Sequence, residues 1–262
     1  MSRPRIAVHK FTSCDGCQLA FLNAGEALLT LSELVEIVHF SEEGSVNLGK
    51  EIDIAFVEGS ISTPDEKERI KVIRENSKYI ITIGACATAG GIQALRNFVD
   101  YKEWVASIYA TPEYVKTLST STAISQHIKV DLELWGCPVS TKQVLDAIRS
   151  LLSNATPRIK RDSVCLECKR NGNVCVLVTK KQACMGPVTQ TGCGALCPSV
   201  GRACYACYGP KETLNTISLG NWFQYLGLSS ESIAQQFLHI NNQAPGFNKA
   251  GLYFKGIKIV SK

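Results

Sequence analysis

Short apolar runs alternate with segments of helical periodicity over residues 1 to about 155. The runs are rich in β-branched and aromatic side chains and are bounded by turn residues, so they favour β-strands. They occupy residues 6–9, 35–40, 52–57, 79–83 and 130–134. Strands that alternate with helices predict a parallel, doubly wound α/β sheet. Ligands of such sheets bind beyond the carboxyl ends of the strands.

Two helices of this region have readable starts. Thr63 and Glu66 form a potential capping box with Pro64 at the first helical position, and Ser140 and Gln143 form a second one. Near the end of the chain, apolar residues at helical spacing predict two amphipathic helices. They are Leu219, Trp222, Phe223 and Leu226 in the first and Ile233, Phe237 and Leu238 in the second.

The segment 153–157, Ser-Asn-Ala-Thr-Pro, is a plausible domain boundary. We therefore expect an α/β domain over residues 1–157, and a loop-rich domain with short helices and a helical tail over residues 158–262. A chain of 262 residues is long enough to bury a sizeable core without covalent staples. Size therefore does not require its cysteines to form disulfides.

Eight of the twelve cysteines lie between residues 165 and 207, among many Gly and Pro residues. They are Cys165, Cys168, Cys175, Cys184, Cys193, Cys197, Cys204 and Cys207. Cysteine pairs two residues apart in a Gly- and Pro-rich segment can turn several thiols toward a soft metal centre. This segment therefore predicts a metal-binding region.

The other four cysteines all follow predicted strands. Cys14 and Cys17 follow the first strand, Cys86 the fourth and Cys137 the fifth. Parallel strands end at one edge of a sheet, so these residues are expected to meet in one four-thiolate site.

Twelve cysteines divide into three sets of four, the number that three [4Fe-4S] clusters require. Zinc is the main alternative, because zinc sites also use C-x2-C pairs. In such sites, however, the pairs usually lie closer together than 165/168 and 204/207, with no thiols between them. A thioredoxin-like redox pair at Cys14 and Cys17 is another alternative, but it leaves Cys86 and Cys137 unexplained.

Charge and targeting signals narrow the class of protein. The N-terminus has no signal-peptide pattern and the chain has no run of about 18 apolar residues, so we expect a cytoplasmic protein without a membrane helix. The formal charge is +5 with every Cys counted as neutral; three thiolate-bound cubanes would bring it to about −1. The longest basic runs, 160–161 and 180–181, lack interleaved aromatics, so nucleic-acid binding is not expected.

Several motifs together carry a resemblance. Thr-Ser-Cys-Asp-Gly-Cys at 12–17, Gly-Ala-Cys-Ala-Thr-Ala-Gly-Gly at 84–91 and Gly-Cys-Pro at 136–138 resemble the cluster motifs of the [NiFe] hydrogenase small subunit. Residues 185–189, 192–194 and 197–199 resemble its cytoplasmic branch, which serves NAD(P)-linked, sulfur-linked and deazaflavin- or heterodisulfide-linked enzymes. The resemblance runs from about residue 5 to residue 210 and does not cover the tail.

The resemblance implies a flavodoxin-like first domain and an electron-transfer role for the chain. It implies a proximal [4Fe-4S] cluster on Cys14, Cys17, Cys86 and Cys137; by order along the chain, the distal cluster takes Cys165, Cys168, Cys175 and Cys184, and the medial cluster takes Cys193, Cys197, Cys204 and Cys207. The implied partners are a nickel–iron large subunit and an iron–sulfur or flavin NAD(P)-reductase subunit. No catalytic residue is expected here, because the chain lacks the nickel-binding motifs of the large subunit.

Four positions depart from the membrane-bound relatives. Cys165 and Cys197 stand where those relatives usually have His and Pro, so all three clusters are expected to be [4Fe-4S]. Ser13 replaces a Glu linked to proton exit, which makes that proton path doubtful. Val139 replaces a second Pro and is expected to change only the local turn.

Two other classes of protein share some of these features. The complex I subunit of the same fold has adjacent cysteines and a single cluster, neither of which this sequence predicts. A free-standing ferredoxin-like or thiol-redox protein would need no hydrogenase partner, whereas a relay subunit needs a large permanent interface around Cys14 and Cys17.

Some residues near these motifs have a simple structural interpretation. Asp15 and Glu58 are expected to shape hydrogen bonds near the first cluster. Gly90 and Gly91 are expected to let the backbone approach the cluster. His9 has no partner motif and is not expected to be a ligand.

Overall fold

The protein is represented by a computed structural model that describes residues 3–41, 45–46 and 51–257, with only the backbone described at 45–46. The chain divides into two compact units, Met1–Pro157 and Arg158–Lys262.

The first unit contains one six-stranded sheet. Its strands are β1 (Arg5–Lys10), β2 (Glu36–Phe40), β3 (Ser45–Val46), β4 (Ile52–Glu58), β5 (Ser77–Ile83) and β6 (Leu132–Leu134). Their order is β3-β2-β1-β4-β5-β6, and all neighbours are parallel except β2 and β3. The five parallel strands are the five that the sequence predicts, which confirms the doubly wound, flavodoxin-like fold. The short antiparallel β3 was not predicted.

Among the described residues of this unit, five α-helices lie between strands and a sixth follows β6. They are α1 (Gly16–Leu22), α2 (Glu26–Leu34), α3 (Pro64–Glu75), α4 (Gly84–Ala89), α5 (Tyr101–Ile108) and α6 (Thr141–Leu152), with 3-10 helices at Ile92–Phe98, Pro112–Tyr114 and Ile124–Gln126.

The start of α3 confirms one predicted capping box and the start of α6 corrects the other. The Thr63 side chain accepts from the Glu66 N–H, and the Glu66 carboxylate accepts from the Thr63 N–H. Helix α6 begins where predicted, but the Ser140 side chain accepts no hydrogen bond from it. The Thr141 hydroxyl instead donates to the Ala20 carbonyl at 2.7 Å, which ties the start of α6 to α1.

The core of the first unit lies on the sheet. Phe40 and Phe56 are fully buried, and the ring of Phe21 meets both edge-on. Ile70 of α3 and Ile80 of β5 are also fully buried in the hydrophobic core. Because helices cover the parallel strands, β4 and β5 read as nearly continuous apolar runs.

The second unit is built from short helices and loops. Its helices are α7 (Val164–Arg170), α8 (Val176–Thr179), α9 (Leu196–Ser199), α10 (Thr216–Tyr225), α11 (Ser230–Phe237) and α12 (Pro245–Phe254), with a 3-10 helix at Gly186–Val188. Helices α10 and α11 are the two predicted from the tail.

The tail helices pack into a core of their own. Phe223 and Phe237 are fully buried, and Phe237 stacks on Phe254 of α12 with ring centroids 6.2 Å apart. Helix α12 was not predicted, since its glycines hide the helical pattern. A Cβ at Gly251 would meet the Leu238 side chain, so packing requires a glycine there.

No helix within the described ranges combines the length and apolar character needed to cross a bilayer.

Candidate functional site

Four cysteines of the first unit follow the carboxyl ends of three parallel strands. Cys14 and Cys17 follow β1, Cys86 lies in α4 directly after β5, and Cys137 follows β6. The carboxyl ends of β1, β4, β5 and β6 form one edge of the sheet. The strand order reverses between β1 and β4, and this is where ligands of such folds bind.

These four thiols are close enough to influence one another's ionisation. The pKa of Cys86 is raised to about 12, first by burial and also by Cys137 and Cys14. Burial raises the pKa of Cys17, and Glu58, Cys86 and Cys137 add to the rise. Burial, Cys14 and Glu58 raise the pKa of Cys137. Cys17, Cys86 and Cys137 are therefore protonated at pH 7 without iron, and each would release a proton when it binds iron.

Two glycines pack directly against these thiols. Gly91 has φ +64°, and a Cβ at this position would lie 2.6 Å from the Cys86 Sγ. Gly84 has φ +87°, and a Cβ there would overlap the Cys17 Sγ. Both positions require glycine for backbone conformation and for close approach to sulfur. The backbone therefore forms a cradle that fits a group held by these thiols.

Hydrogen bonds orient two of the sulfurs. The Val139 N–H donates to the Cys17 Sγ at 3.5 Å. A Pro at this position would have no N–H, so Val139 supplies a bond as well as a turn, beyond the effect expected from the sequence. The Cys86 thiol donates to the Gln93 Oε1 at 3.4 Å, and the Gln93 Nε2 donates to the Thr12 carbonyl at 3.1 Å. Gln93 thus links the segment of Cys86 to the loop after β1. Nothing in the sequence had indicated this role for Gln93.

Glu58 and Asp15 shape the start of α1. Glu58 is 1% exposed and accepts from the backbone N–H groups of Cys17 at 3.0 Å and Gln18 at 3.1 Å. Burial raises the Glu58 pKa, and these hydrogen bonds oppose the rise. Asp15 has φ 65° and pairs with Lys10 at 2.6 Å. Both carboxylates therefore position the loop that carries Cys14 and Cys17.

In the second unit, the first four cysteines of the rich segment also interact. The pKa of Cys165 is raised to about 11 by burial first, then by Cys184, Cys168 and Cys175. Cys165 and Cys168 belong to α7, whereas Cys175 precedes α8. A Cβ on Gly186 would lie 3.5 Å from the Cys184 Sγ and 3.6 Å from the Cys165 Sγ. The Cys165 and Cys184 sulfurs thus lie on either side of Gly186, and Cys168 and Cys175 are near enough to Cys165 to affect its ionisation.

Fewer observed contacts connect the remaining four cysteines with one another. Cys204 is buried, and Cys184 and Cys207 both contribute to its raised pKa after burial, the main cause. The Cys204 N–H donates to the Cys184 Sγ at 3.3 Å, so the two sets adjoin. Cys193 lies in a loop and Cys197 in α9. The grouping of Cys193 and Cys197 with Cys204 and Cys207 stays a prediction.

Glu167 organises the loop of Cys193. Its carboxylate accepts from the N–H groups of Gly192 at 2.9 Å and Ala195 at 3.1 Å, and the Cys193 thiol approaches it at 3.9 Å. Glu167 was not among the residues that the sequence singled out. Only one feature of the sequence could have indicated the role of Glu167: it lies between Cys165 and Cys168, in a segment whose other charged residues are basic.

Across residues 3–41, 45–46 and 51–257, no three or more His, Cys, Asp or Glu side chains are arranged around one position for a metal ion. A cubane does not require that arrangement, because each of its four thiolates binds a different iron atom. The donor set is thiolate alone, which suits iron–sulfur clusters.

The amino-acid sequence of this chain is similar to those of known proteins. The family model of the NADH ubiquinone oxidoreductase 20 kDa subunit matches residues 14–151, just over half of the chain. Sulfhydrogenase 2 subunit delta of Pyrococcus furiosus is 35% identical over 79% of this chain and 86% of its own length. A vhu subunit of the F420-non-reducing hydrogenase of Methanocaldococcus jannaschii is 30% identical over 82% of this chain and 84% of its own length.

A solved structure shares the fold. A chain of an NAD+-reducing [NiFe]-hydrogenase in the H2-reduced state superposes with a TM-score of 0.55 and 24% identity. The match covers 60% of this chain and 95% of that one.

Proposed function

The chain belongs to the NADH ubiquinone oxidoreductase 20 kDa subunit family, in which it is a hydrogenase small-type subunit, and on this premise we propose that it relays electrons through three [4Fe-4S] clusters. The relay connects the nickel–iron site of a large subunit with an iron–sulfur or flavin-bearing acceptor subunit. Hydrogen oxidation or proton reduction takes place on the large subunit, and this chain contributes no catalytic residue.

The observation that carries the proposal is the meeting of four thiols at one edge of the sheet. Residues from three strand ends come together there, and Cys14 and Cys137 are exposed while Cys17 is buried. A site that is half open to the surface suits electron exchange with a partner protein, because the partner can approach the two exposed ligands. A redox pair of Cys14 and Cys17 alone would not use Cys86 and Cys137.

Each of the three clusters would be held by one set of four cysteines. The proximal set is Cys14, Cys17, Cys86 and Cys137; the distal set is Cys165, Cys168, Cys175 and Cys184; the medial set is Cys193, Cys197, Cys204 and Cys207. The clusters, when bound, supply one-electron chemistry at low potential.

The chain itself tunes and protects these sites. The Val139 N–H stabilises negative charge on the Cys17 sulfur, as hydrogen bonds to cluster thiolates do. Glu58 holds the start of α1, so Cys17 keeps its position. Burial keeps water from Cys17, whereas exposure leaves Cys14 available to the partner interface.

The sequence motifs also bear on the location and the partners of the chain. The sequence motifs belong to the cytoplasmic branch of the resemblance, so the chain is assigned to the cytoplasm. Its permanent partner is the hydrogenase large subunit, and nucleic acids and membranes are not among its ligands.

Anaerobic co-expression with the large subunit tests this function. The purified complex is expected to contain about twelve irons and twelve sulfides on this chain and to reduce methyl viologen with H2. Cys86→Ser should lower the iron bound to this chain by about four and abolish viologen reduction, because electrons enter through the proximal cluster. Ser107→Ala, an exposed change on α5, is the control and should keep both.

Two results would reject the proposal. A stable monomer that does not associate with the large subunit would favour a free-standing ferredoxin-like protein. A colourless protein that contains zinc and no acid-labile sulfide would favour a structural zinc protein.

A further inference from the structure

The surface around Cys175 carries solvent-exposed apolar side chains. Cys175 is itself exposed and begins α8. Val174 and Val178 on either side of it are 68% and 70% exposed. These exposed aliphatic side chains lie beside a ligand of the proposed distal cluster, and they would mark a protein contact if they form part of a larger apolar patch.

A groove continues this surface onto the tail. It has a volume of about 600 Å³ and is lined by Leu177 of α8, by Trp222 and Tyr225 of α10 and by Lys211. The two aromatic rings stack with centroids 5.1 Å apart, and they are 45% and 79% exposed. Large, stacked, exposed aromatics are typical anchors of protein interfaces.

Most of the charged side chains around this surface are basic. From Cys168 to Lys211 the sequence has six Lys or Arg residues and no Asp or Glu. Lys180 and Lys181 are exposed at the end of α8, and Lys211 lines the groove. Glu212, next to Lys211, is the nearest exposed carboxylate along the chain. The rim of the surface is therefore mainly basic, with Glu212 as the one carboxylate beside Lys211 in the sequence.

We propose that this α8 surface, made of Val174, Cys175, Val178, Trp222 and Tyr225 with Lys180, Lys181 and Lys211 at its rim, docks an acidic iron–sulfur electron-transfer protein. The inference rests on the proposed function, because it needs a cluster on Cys175. Opposite charge steers the partner to the surface, and the apolar centre holds it where its cluster can exchange electrons near Cys175.

The basic residues could have a second role, which predicts a different result. Lys180 donates to the Gly201 carbonyl at 3.0 Å, so one of them also supports the fold. If all of them only offset the charge of the cluster thiolates, their removal would shift the reduction potential and leave the salt dependence of the rate unchanged.

The test uses the complex with the large subunit, H2 as donor and two acceptors. One acceptor is an acidic plant-type [2Fe-2S] ferredoxin, and the other is methyl viologen, which needs no docking surface. The ratio of the ferredoxin rate to the viologen rate is expected to fall as ionic strength rises. The double variant Lys181→Glu, Lys211→Glu should lower this ratio about tenfold at low salt and remove its salt dependence.

Matched controls separate docking from general effects. Lys249→Glu makes the same kind of charge change at an exposed residue of α12 that does not line the groove, and it should leave the salt dependence intact. Trp222→Ala should raise the KM for ferredoxin about tenfold, whereas Tyr253→Ala, an exposed aromatic on α12, should not. If the double charge reversal prevents assembly, Lys181→Gln with Lys211→Gln should give a smaller fall of the same sign.

The outcomes are distinct. An unchanged salt dependence in the double variant, or an equal change in the Lys249→Glu control, overturns the docking surface. Absence of viologen reduction by the wild-type complex instead rejects the proposed relay, so the two failures are distinguishable.

Discussion

Replacing Gly84 by Ala tests the cradle around Cys17. The backbone at Gly84 has φ +87°, where an L-residue is strained by about 1–3 kcal/mol. The new Cβ would also overlap the Cys17 Sγ, and such overpacking costs about 1–3 kcal/mol more. The overlap can be relieved in two ways. Either the backbone around Gly84 shifts, which lowers the stability of the first unit, or the Cys17 side chain moves away from its ligand position.

Gly227→Ala is the matched control. Gly227 has φ +93°, close to that of Gly84, but a Cβ there would meet nothing within 4 Å. It therefore has similar backbone strain without any contact with a cysteine. The difference between the two variants isolates the overlap with sulfur.

Iron content and thermal unfolding of the purified complex measure this difference. The control should keep about twelve irons on this chain, whereas Gly84→Ala should lose about four. If the cluster is retained, the melting temperature of Gly84→Ala should be lower than that of the control by about 3–9 °C, which is the overpacking cost at about 3 °C per kcal/mol. Full iron together with equal melting temperatures would refute the cradle argument.

Three further predictions concern single residues. The pKa of His9 is lowered to about 3 by burial first, then by His39 and Arg69, so the unfolded chain binds a proton that the folded chain does not. The free energy of unfolding therefore falls as the pH drops below about 6.5, by about 2 kcal/mol at pH 5. Denaturant unfolding at pH 7 and at pH 5 should show this loss in the wild type. The loss should be smaller in His9→Gln. Val139→Pro removes the N–H that donates to the Cys17 sulfur. In a redox titration it should lower the reduction potential of the proximal cluster by tens of millivolts, on the order of magnitude expected for hydrogen bonds to cluster sulfurs. Val139→Ala keeps the N–H and should keep the potential, so equal potentials in the two variants would contradict the role of this bond. Cys197→Pro removes one thiolate and should create a [3Fe-4S] signal in the oxidised enzyme by electron paramagnetic resonance; an unchanged spectrum would reject the medial assignment.

The sequence predicts the parallel sheet because each strand carries its own local pattern. Continuous apolar runs such as 52–57 and 79–83 stay recognisable whatever surrounds them. The rule for parallel sheets then places Cys14, Cys86 and Cys137 at one edge without any knowledge of side-chain packing. This is why the sequence predicted the convergence of residues that lie far apart along the chain.

Features that depend on distant contacts did not have such a signal. Ser140 has the sequence of a capping residue, but the neighbouring Thr141 hydroxyl bonds to α1 and the predicted cap is not made. Gln93 had no signal because its link to the loop after β1 is a hydrogen bond to Thr12, 81 positions away. Helix α12 contains glycines that lower its intrinsic propensity, and packing against Leu238 overrides that preference.

The Glu167 hydrogen bonds connect the two cysteine sets of the second unit. One carboxylate, placed between two ligands of the distal set, holds the backbone that presents Cys193 of the proposed medial set. A deletion of the Cys193 loop would leave this carboxylate without its N–H donors, a loss of about 1–3 kcal/mol. The two cysteine sets therefore share one support, so a change at Glu167 should disturb the presentation of Cys193 although Glu167 itself lies on the helix that carries Cys165 and Cys168.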